Sequence, residues 1–194
     1  MLVPDRRNAG AILLSDGDVL LIGGSSGIDT TEHSTERYHP TRNSWERGVP
    51  AKALHGDATV LLATGKALAV AGSSPLEPRT SAGAELYDPA ANTWSWAAAM
   101  HEPERAGATV TLLSDGRLLV VGGGLNSGAS MWTPSRAAEL YDPVTNRWTI
   151  TTGPATVRIH HTATLLPDGS VLVVGGSPEC LSCTVKDSAA VYRP

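Results

Sequence analysis

The stretch Arg105–Gly123, RAGATVTLLSDGRLLVVGG, decides the fold, because the chain repeats its pattern four times. An apolar run precedes a Ser-Asp-Gly turn, and a second apolar run follows the turn and ends in a glycine pair. After a variable loop come AELYDP and then Trp148. Self-similarity at a fixed period of roughly 20 to 50 residues indicates a repeat architecture in which each copy forms one structural unit.

The landmarks of this pattern recur in phase along the chain. The positions of the glycine pair follow one another at spacings of 48, 51 and 53 residues, with Ala71 in place of the first glycine in the second repeat. Each of the first three tyrosines precedes a tryptophan by seven residues. We predict structural roles for all of them, the glycines at close backbone approaches and the rings in the core between repeats. These residues are Gly23, Gly24, Gly72, Gly122, Gly123, Gly175, Gly176, Tyr38, Tyr87, Tyr141, Tyr192, Trp45, Trp94 and Trp148.

The combination of turn, apolar strand, Gly-Gly, Glu-x-Tyr-Asp-Pro and Asn-x-Trp resembles the kelch repeat, whose period is about 50 residues. The resemblance covers nearly the whole chain. It implies an all-β fold, a kelch-type β-propeller in which each repeat forms one four-stranded blade. We therefore predict a single domain over residues 1–194. Its four repeats lie at about 5–50, 51–101, 102–154 and 155–194, and the fourth lacks its last strand.

Each repeat is predicted to alternate short strands with tight turns. The first two strands of each repeat are almost continuously apolar, which is typical of strands buried on both faces. The Asp-Gly turns supply the positive φ that tight hairpins need. The predicted strands are 9–14, 18–23, 34–39 and 44–47; 57–62, 66–71, 83–88 and 93–97; 107–113, 117–122, 137–142 and 147–151; and 161–166, 170–175 and 187–192.

Charged residues also recur in phase, two residues before a tyrosine and eleven residues before a turn glycine. Because they are in step with the repeat, we interpret them as structural and predict Arg–carboxylate pairs between neighbouring strands. The acidic members are Glu36, Glu85 and Glu139, and the basic members are Arg6, Arg105 and Arg158.

Composition excludes several classes of function. The net charge is −4 and no run of Lys or Arg is present, so we predict no nucleic-acid partner and no membrane partner. The apolar runs are shorter than the ~18 residues of a membrane span. Residues 1–11 contain charges and no apolar core of a signal peptide.

Binding residues are expected in the long loops between the second and third strands, which should share one face with the segments that join blades. These loops are 25–34, 73–82, 124–136 and 177–186. Trp132 stands out because no other repeat has a counterpart. We predict a ligand site at Met131, Trp132 and Arg136, with a protein or a glycan as the ligand. The alternative is that Trp132 covers the end of a blade.

The fourth repeat resembles the last propeller blade of the galactose oxidase and glyoxal oxidase family. In that family a Tyr-His pair before a Leu-Pro-Asp-Gly turn binds copper, and a nearby Cys-x-x-Cys forms a disulfide. The resemblance implies that His161 matches the copper histidine and His160 the tyrosine. The position of the family's radical-forming tyrosine holds Gly107 here. Two histidines do not complete a metal site and the sequence offers no third ligand in register, so we predict no cofactor. The kelch resemblance implies a packing role for His161, and copper held by His160 and His161 is the alternative.

The two cysteines do not decide between an extracytoplasmic and a cytoplasmic location. The same resemblance implies a disulfide between Cys180 and Cys183, which would suit an extracytoplasmic compartment. Reduced thiols would suit the cytoplasm. Structural zinc would need two further ligands.

The leading functional hypothesis is a non-enzymatic binding or scaffold module that uses the loop face of the propeller. One alternative is a domain related to the copper-dependent oxidases. A second alternative depends on how the propeller ring closes, because four complete blades need sixteen strands and the sequence predicts fifteen. The chain could close alone, with residues 1–4 as the extra strand. It could instead assemble as a homodimer into a larger ring, or be a piece of a larger propeller. We favour association or fragment origin.

Overall fold

Short β-strands make up the regular structure of the chain, as the computed structural model shows for residues 2–26, 33–52, 55–71, 83–102, 105–126, 132–177 and 188–194. None of these residues forms a helix that could cross a membrane. The observed blade strands lie within two residues of the predicted bounds at each end. In chain order the strands are β1 (Arg6–Arg7), β2 (Gly10–Leu13), β3 (Val19–Ile22), β4 (Ser25–Ser26), β5 (Thr35–His39), β6 (Ser44–Arg47), β7 (His55–Leu61), β8 (Ala67–Ala71), β9 (Ala84–Asp88), β10 (Thr93–Trp96), β11 (Thr109–Leu112), β12 (Leu118–Val121), β13 (Gly124–Asn126), β14 (Trp132–Pro134), β15 (Ala138–Asp142), β16 (Arg147–Thr151), β17 (Thr162–Leu165), β18 (Val171–Val174) and β19 (Ala189–Tyr192).

Each sequence repeat forms one antiparallel sheet, which we call a blade. Blades 1, 2 and 3 have the strand orders β2-β3-β5-β6, β7-β8-β9-β10 and β11-β12-β15-β16. In the part of the chain that the structure describes, blade 4 has three strands, in the order β17-β18-β19. The first strands of successive blades contact one another. This is the architecture of a β-propeller, so the predicted fold is confirmed.

The blades form an open arc. β2 contacts β7, β7 contacts β11, and β11 contacts β17. Within the described residues, no contact of similar extent joins β17 back to β2. Leu2 and Val3, considered above for closing the ring, instead donate their backbone N–H groups to the Glu36 carboxylate in blade 1. The described blades therefore do not close into a four-bladed ring.

Apolar side chains fill the spaces between adjacent blades. Between blades 2 and 3, Leu68 and Val70 pack in one buried cluster with Leu118 and Val120. Similar clusters join blades 1 and 2 and blades 3 and 4. Full burial of one such side chain contributes about 1.5 to 3 kcal/mol, so these clusters hold the arc together.

Tyrosine and tryptophan form a repeated core unit. In blade 3, Tyr141 on β15 lies opposite Trp148 on β16, with ring centroids 4.8 Å apart. The Tyr141 hydroxyl donates a hydrogen bond to Asn146 Oδ1 at 2.9 Å. The indole N–H of Trp148 donates to the Ala98 carbonyl of the preceding segment at 2.9 Å. Equivalent ring pairs occur in blades 1 and 2, and they are Tyr38–Trp45 and Tyr87–Trp94.

The glycine pair lies where backbones approach most closely. A Cβ atom on Gly123 would lie 2.6 Å from the Arg105 carbonyl oxygen, and φ at Gly123 is +83°. A Cβ on Gly122 would lie 2.5 Å from the Arg158 carbonyl oxygen of the next blade. A side chain at either position would therefore displace backbone.

A buried glutamate holds the segment that enters each complete blade. In blade 3 the Glu139 carboxylate accepts the backbone N–H groups of His101 and Glu102 at 2.9 and 3.1 Å. It also faces the buried Arg105, whose Nη1 lies 3.5 Å from Oε1. Arg105 Nε donates to the Gly122 carbonyl at 2.8 Å. We call this glutamate with its entering segment the carboxylate clamp.

The clamp recurs with variations. In blade 1, Glu36 pairs with Arg6 at 2.9 Å. Burial alone would raise the pKa of Glu36, but hydrogen bonds from Leu2 and Arg6 outweigh it and hold the pKa below its usual value. In blade 2, Glu85 accepts the backbone N–H of Lys52 at 3.0 Å.

Blade 4 departs from this scheme. Ala190 lies opposite Val173, at the position that the clamp glutamate has in the other blades. Arg158 donates to the Gly175 and Ser188 carbonyl oxygens at 2.6 and 2.9 Å. The predicted Arg–Glu pairing is thus confirmed in blades 1 and 3. For Arg158 it is wrong, since alanine supplies no carboxylate.

We expect Glu139→Gln to destabilise the fold by about 3 to 5 kcal/mol, because it leaves a buried guanidinium without its counter-charge. Urea unfolding followed by tryptophan fluorescence would measure the change. The matched control is Glu46→Gln, whose side chain is 66% exposed and should cost less than about 0.5 kcal/mol. A loss at Glu139 as small as that at Glu46 would contradict the clamp.

Candidate functional site

One face of the arc carries the irregular segments. In blade 1, β1 precedes the first blade strand and pairs with β4, which follows the second. In blades 3 and 4 isolated bridges join the same positions, Ala106 to Gly124 and Ile159 to Ser177. The entering segments and the loops after the second strands therefore share one side, as predicted. We call this side the loop face.

A cavity of about 210 Å³ opens where the first strands of blades 2, 3 and 4 meet. Thr59, Gly107, Thr109, His160 and His161 line it together with small apolar side chains. Gly107 and His160 belong to the segments that enter blades 3 and 4. The cavity therefore combines polar groups from three repeats that are far apart in the sequence.

His161 is the buried polar group of this cavity. Its side chain is 5% exposed, and its Nε2 lies 2.9 Å from Thr109 Oγ1. Its Nδ1 is buried without a hydrogen-bond partner. Burial, together with the positive charges of Arg158 and Arg105, lowers the pKa of His161 to about 4. The ring is therefore neutral at pH 7, and it links blade 4 to blade 3.

His160 has the opposite character. It is exposed, and its φ of +54° places the backbone in the left-handed region. Its N–H donates to the Gly107 carbonyl at 2.9 Å. A Cβ on Gly107 would lie 3.2 Å from the His160 ring. Glycine at 107 thus allows the His160 side chain to lie against blade 3 at the edge of the cavity.

Copper at His160 and His161 stays a prediction. His161 Nε2 already lies within hydrogen-bond distance of Thr109 Oγ1, at 2.9 Å. No group of three His, Cys, Asp or Glu side chains suited to a metal occurs among the described residues. We therefore derive no reaction step through copper.

Of the other site residues predicted from the sequence, the structure describes Arg136 and the backbone of Trp132. The backbone of Trp132 begins β14, which pairs with β13 in a short ribbon between the second and third strands of blade 3. Arg136 is exposed just after this ribbon. Met131, Cys180 and Cys183 lie outside the described residues, so their predicted roles stay predictions.

The sequence alone does not indicate the two threonines of the cavity or the ribbon formed by β13 and β14. In the sequence, Thr59 and Thr109 are only parts of the apolar runs that predict strands. The spacing in the sequence gives no sign that Thr109 meets His161, 52 residues later. The ribbon strands β13 and β14 are three residues each, too short for alternation of apolar and polar residues to reveal them.

Comparison with known proteins agrees with the repeat pattern. The family model described as the Kelch motif matches residues 6–51 and 105–153. Kelch-like protein 25 from Xenopus tropicalis is 31% identical over 141 residues, which are 73% of this chain. The chain spans 22% of that relative's length.

A solved structure of YjhT has a similar fold. The TM-score is 0.68 at 20% sequence identity, over 89% of this chain and 59% of that chain. At this identity the likeness supports the fold alone. The resemblance of the fourth repeat to the galactose oxidase family stays a prediction.

The neutral His161 predicts a pH-dependent stability. The unfolded chain takes up a proton near the ordinary pKa of about 6.5, whereas the folded chain resists it until about pH 4. The contribution of neutral His161 is therefore fully present above pH 6.5 and is lost as the pH falls towards 4. A difference of this size corresponds to about 3 kcal/mol.

Urea unfolding of the wild type and of His161→Gln at pH 7.5, 5.5 and 4.5 tests this prediction. We expect the wild type to lose stability relative to the glutamine variant as the pH falls. Thr109→Val keeps the histidine and should retain the pH dependence of the wild type. Parallel profiles for the wild type and His161→Gln would contradict the prediction.

Proposed function

The chain belongs to the kelch-repeat family, and on this premise we propose that it is a protein-interaction module that binds its partner with the loop face. Kelch repeats and the similarity to a Kelch-like protein support an interaction role. The observation that carries the choice of face is the cavity at its centre, where polar side chains from three blades converge.

The chemistry of the cavity suits a polar segment of a protein partner. Binding pockets are concave and combine apolar walls with a few placed polar groups. Here the small side chains of Ala58, Ala108 and Ala163 form walls, and the threonine hydroxyl groups and His160 supply the polar groups. A protein partner could also reach the exposed Arg136 on the same face. A glycan ligand and a copper-dependent oxidase both stay predictions of the sequence.

Variants on opposite faces test the proposal. We expect His160→Asn, which keeps a residue suited to positive φ, and Trp132→Ala to weaken partner binding at least tenfold, as removal of a central contact does in other interfaces. The measurement is capture of cellular partners on immobilised chain, quantified by mass spectrometry and followed by titration of the purified partner.

Val144→Ala is the matched control. Val144 is 88% exposed and lies in the turn between the third and fourth strands of blade 3, on the opposite face. Its partner affinity should stay within twofold of the wild type. Loss of binding in Val144→Ala, or unchanged binding in both loop-face variants, would refute the use of the loop face.

Assembly into a larger ring is a second candidate, favoured by the apolar ends of the open arc. Leu13 in blade 1 is 64% exposed, and Val174 and Val191 in blade 4 are each 43% exposed. These side chains face away from the neighbouring blade in the arc, on the sides where a further blade would pack. Closed symmetric association would cover both ends.

Native mass spectrometry tests the assembly. If two copies join end to end, we expect a dimer for the wild type and at least a tenfold weaker dimer for Leu13→Glu. Val144→Glu adds the same charge on an exposed turn and should leave the dimer unchanged. A monomeric wild type at micromolar concentration would rule out this arrangement.

A further inference from the structure

Arg158 is a buried cation whose hydrogen bonds go to neutral oxygen atoms. The residue is 2% exposed. Its Nη1 donates to the carbonyl oxygens of Gly175 and Ser188, and its Nη2 donates to Ser188 Oγ at 2.9 Å. A buried charge is costly unless an opposite charge pairs with it. Within the described part of the chain, Arg158 has no such counter-charge.

Arg6, the equivalent residue of blade 1, shows where a counter-charge would lie. Its Nη1 donates to the carbonyl oxygens of Gly23 and Ser34, and its Nη2 donates to Ser34 Oγ. These are the same three contacts that Arg158 makes in blade 4. Nη2 of Arg6 makes a further contact with Glu36 Oε1, at 2.9 Å. The corresponding edge of the Arg158 guanidinium is therefore directed at the position of the clamp carboxylate.

Ala190 occupies the clamp position in blade 4. It lies opposite Val173 on β18, as Glu139 lies opposite Val120 on β12. Beyond the Cβ atom, a glutamate side chain consists of one methylene carbon and a carboxylate. These are the heavy atoms of an acetate ion. The difference between the clamp in blade 3 and its counterpart in blade 4 thus has the size and the charge of acetate.

The segment that enters blade 4 supplies further hydrogen-bond donors. In blades 1 and 3 the clamp glutamate accepts the N–H groups that lie four and three residues before the arginine. The equivalent residues of blade 4 are Pro154, which has no N–H, and Ala155, which has one. The next residue, Thr156, has a buried hydroxyl group without a hydrogen-bond partner. Thr156 therefore adds a donor to the segment in which proline has removed one.

The charge of Arg158 acts on its surroundings. Burial, together with the positive charges of Arg158 and Arg105, lowers the pKa of His161 to about 4. Arg105 faces the carboxylate of Glu139 at 3.5 Å, whereas Arg158 has only neutral acceptors among the described residues. An anion next to Arg158 would be attracted by a charge that the described structure leaves uncompensated.

This site depends on one side chain and not on the number of strands in the blade. The clamp carboxylates of blades 1 and 3 are bonded to the entering segments, through the arginine and the two backbone N–H groups. The entering segment and the third strand are both present in blade 4. The substitution of alanine for glutamate is what sets blade 4 apart at this position.

We propose that blade 4 binds a small carboxylate anion of the size of acetate, which takes the place of the clamp glutamate next to Arg158. The anion accepts hydrogen bonds from Arg158 Nη2, the Ala155 N–H and the Thr156 hydroxyl group. Hydrogen bonds between charged groups are shorter and stronger than those between neutral groups. The proposal does not depend on the use of the loop face.

Sodium acetate is the probe, exchanged against sodium chloride at constant ionic strength and pH 7. Thermal unfolding of the whole chain is followed by tryptophan fluorescence. A ligand that binds only the folded chain stabilises it by mass action. We expect a saturable rise in the melting temperature of about 3 to 6 °C when acetate is in about tenfold excess over its dissociation constant.

Variants separate this site from general effects of acetate on protein stability. Ala190→Glu supplies the carboxylate within the chain, so it should raise the melting temperature in chloride and abolish the effect of acetate. Arg158→Gln removes the cation and should also abolish the effect. The matched control is Ala189→Glu, which adds the same charge at the neighbouring exposed position and should keep the response of the wild type.

Binding to the wild type is measured directly by saturation-transfer NMR from the chain to the methyl group of acetate, which does not depend on the folding of a variant. The carboxylate of an acidic side chain in another protein has the same chemistry, so the capped peptide acetyl-Gly-Glu-Gly-amide serves as the second probe. Because the site has the size of acetate, we expect acetate to bind at least as tightly as the peptide.

Three results would overturn the proposal. One is the absence of saturable transfer to acetate, because Arg158 would then be neutralised in another way. Another is an equal effect of acetate on the melting temperatures of the wild type and Ala190→Glu. The third is binding of the capped peptide at least tenfold tighter than acetate, which would assign the site to an acidic side chain.

Discussion

The carboxylate clamp is the interaction on which the arrangement of the blades depends. A propeller must return the chain from the outer edge of one blade to the inner edge of the next, and this segment carries backbone N–H groups with no strand partner. Glu139 accepts two of them from inside the fold. A buried carboxylate is costly unless it is paired, so the glutamate and the entering segment require each other.

The clamp also positions the loop face. Arg105 connects Glu139 to the Gly122 carbonyl, and the N–H of Gly123 donates to the Arg158 carbonyl of the next blade at 2.9 Å. The glycine pair thus joins two entering segments. His161 lies directly after one of them. Its burial, together with the positive charges of Arg158 and Arg105, keeps the ring neutral, and the ring bridges to Thr109.

Features that recur in the sequence could be predicted, because the same residue types at the same spacing form the same local structure in each repeat. The Tyr–Trp pairs, the glycine close approaches and the strand bounds follow from spacing and turn chemistry. The central cavity could not be predicted, since Thr59, Thr109 and His161 come together only through packing between blades. Ala190 shows a second limit of prediction from the sequence. The absence of glutamate is visible in the sequence, but its consequence for Arg158 depends on the geometry of the clamp.

The three-stranded blade 4 has a consequence for how the fold comes apart. In an array where each unit contacts only its neighbours, stability is a sum of unit and interface contributions. Blade 4 has Ala190 in place of the clamp glutamate, and among the described residues only one of its faces adjoins another blade. We expect unfolding to begin there and to spread blade by blade towards blade 2, so that the molecule loses its structure as a sequence of steps with a defined direction.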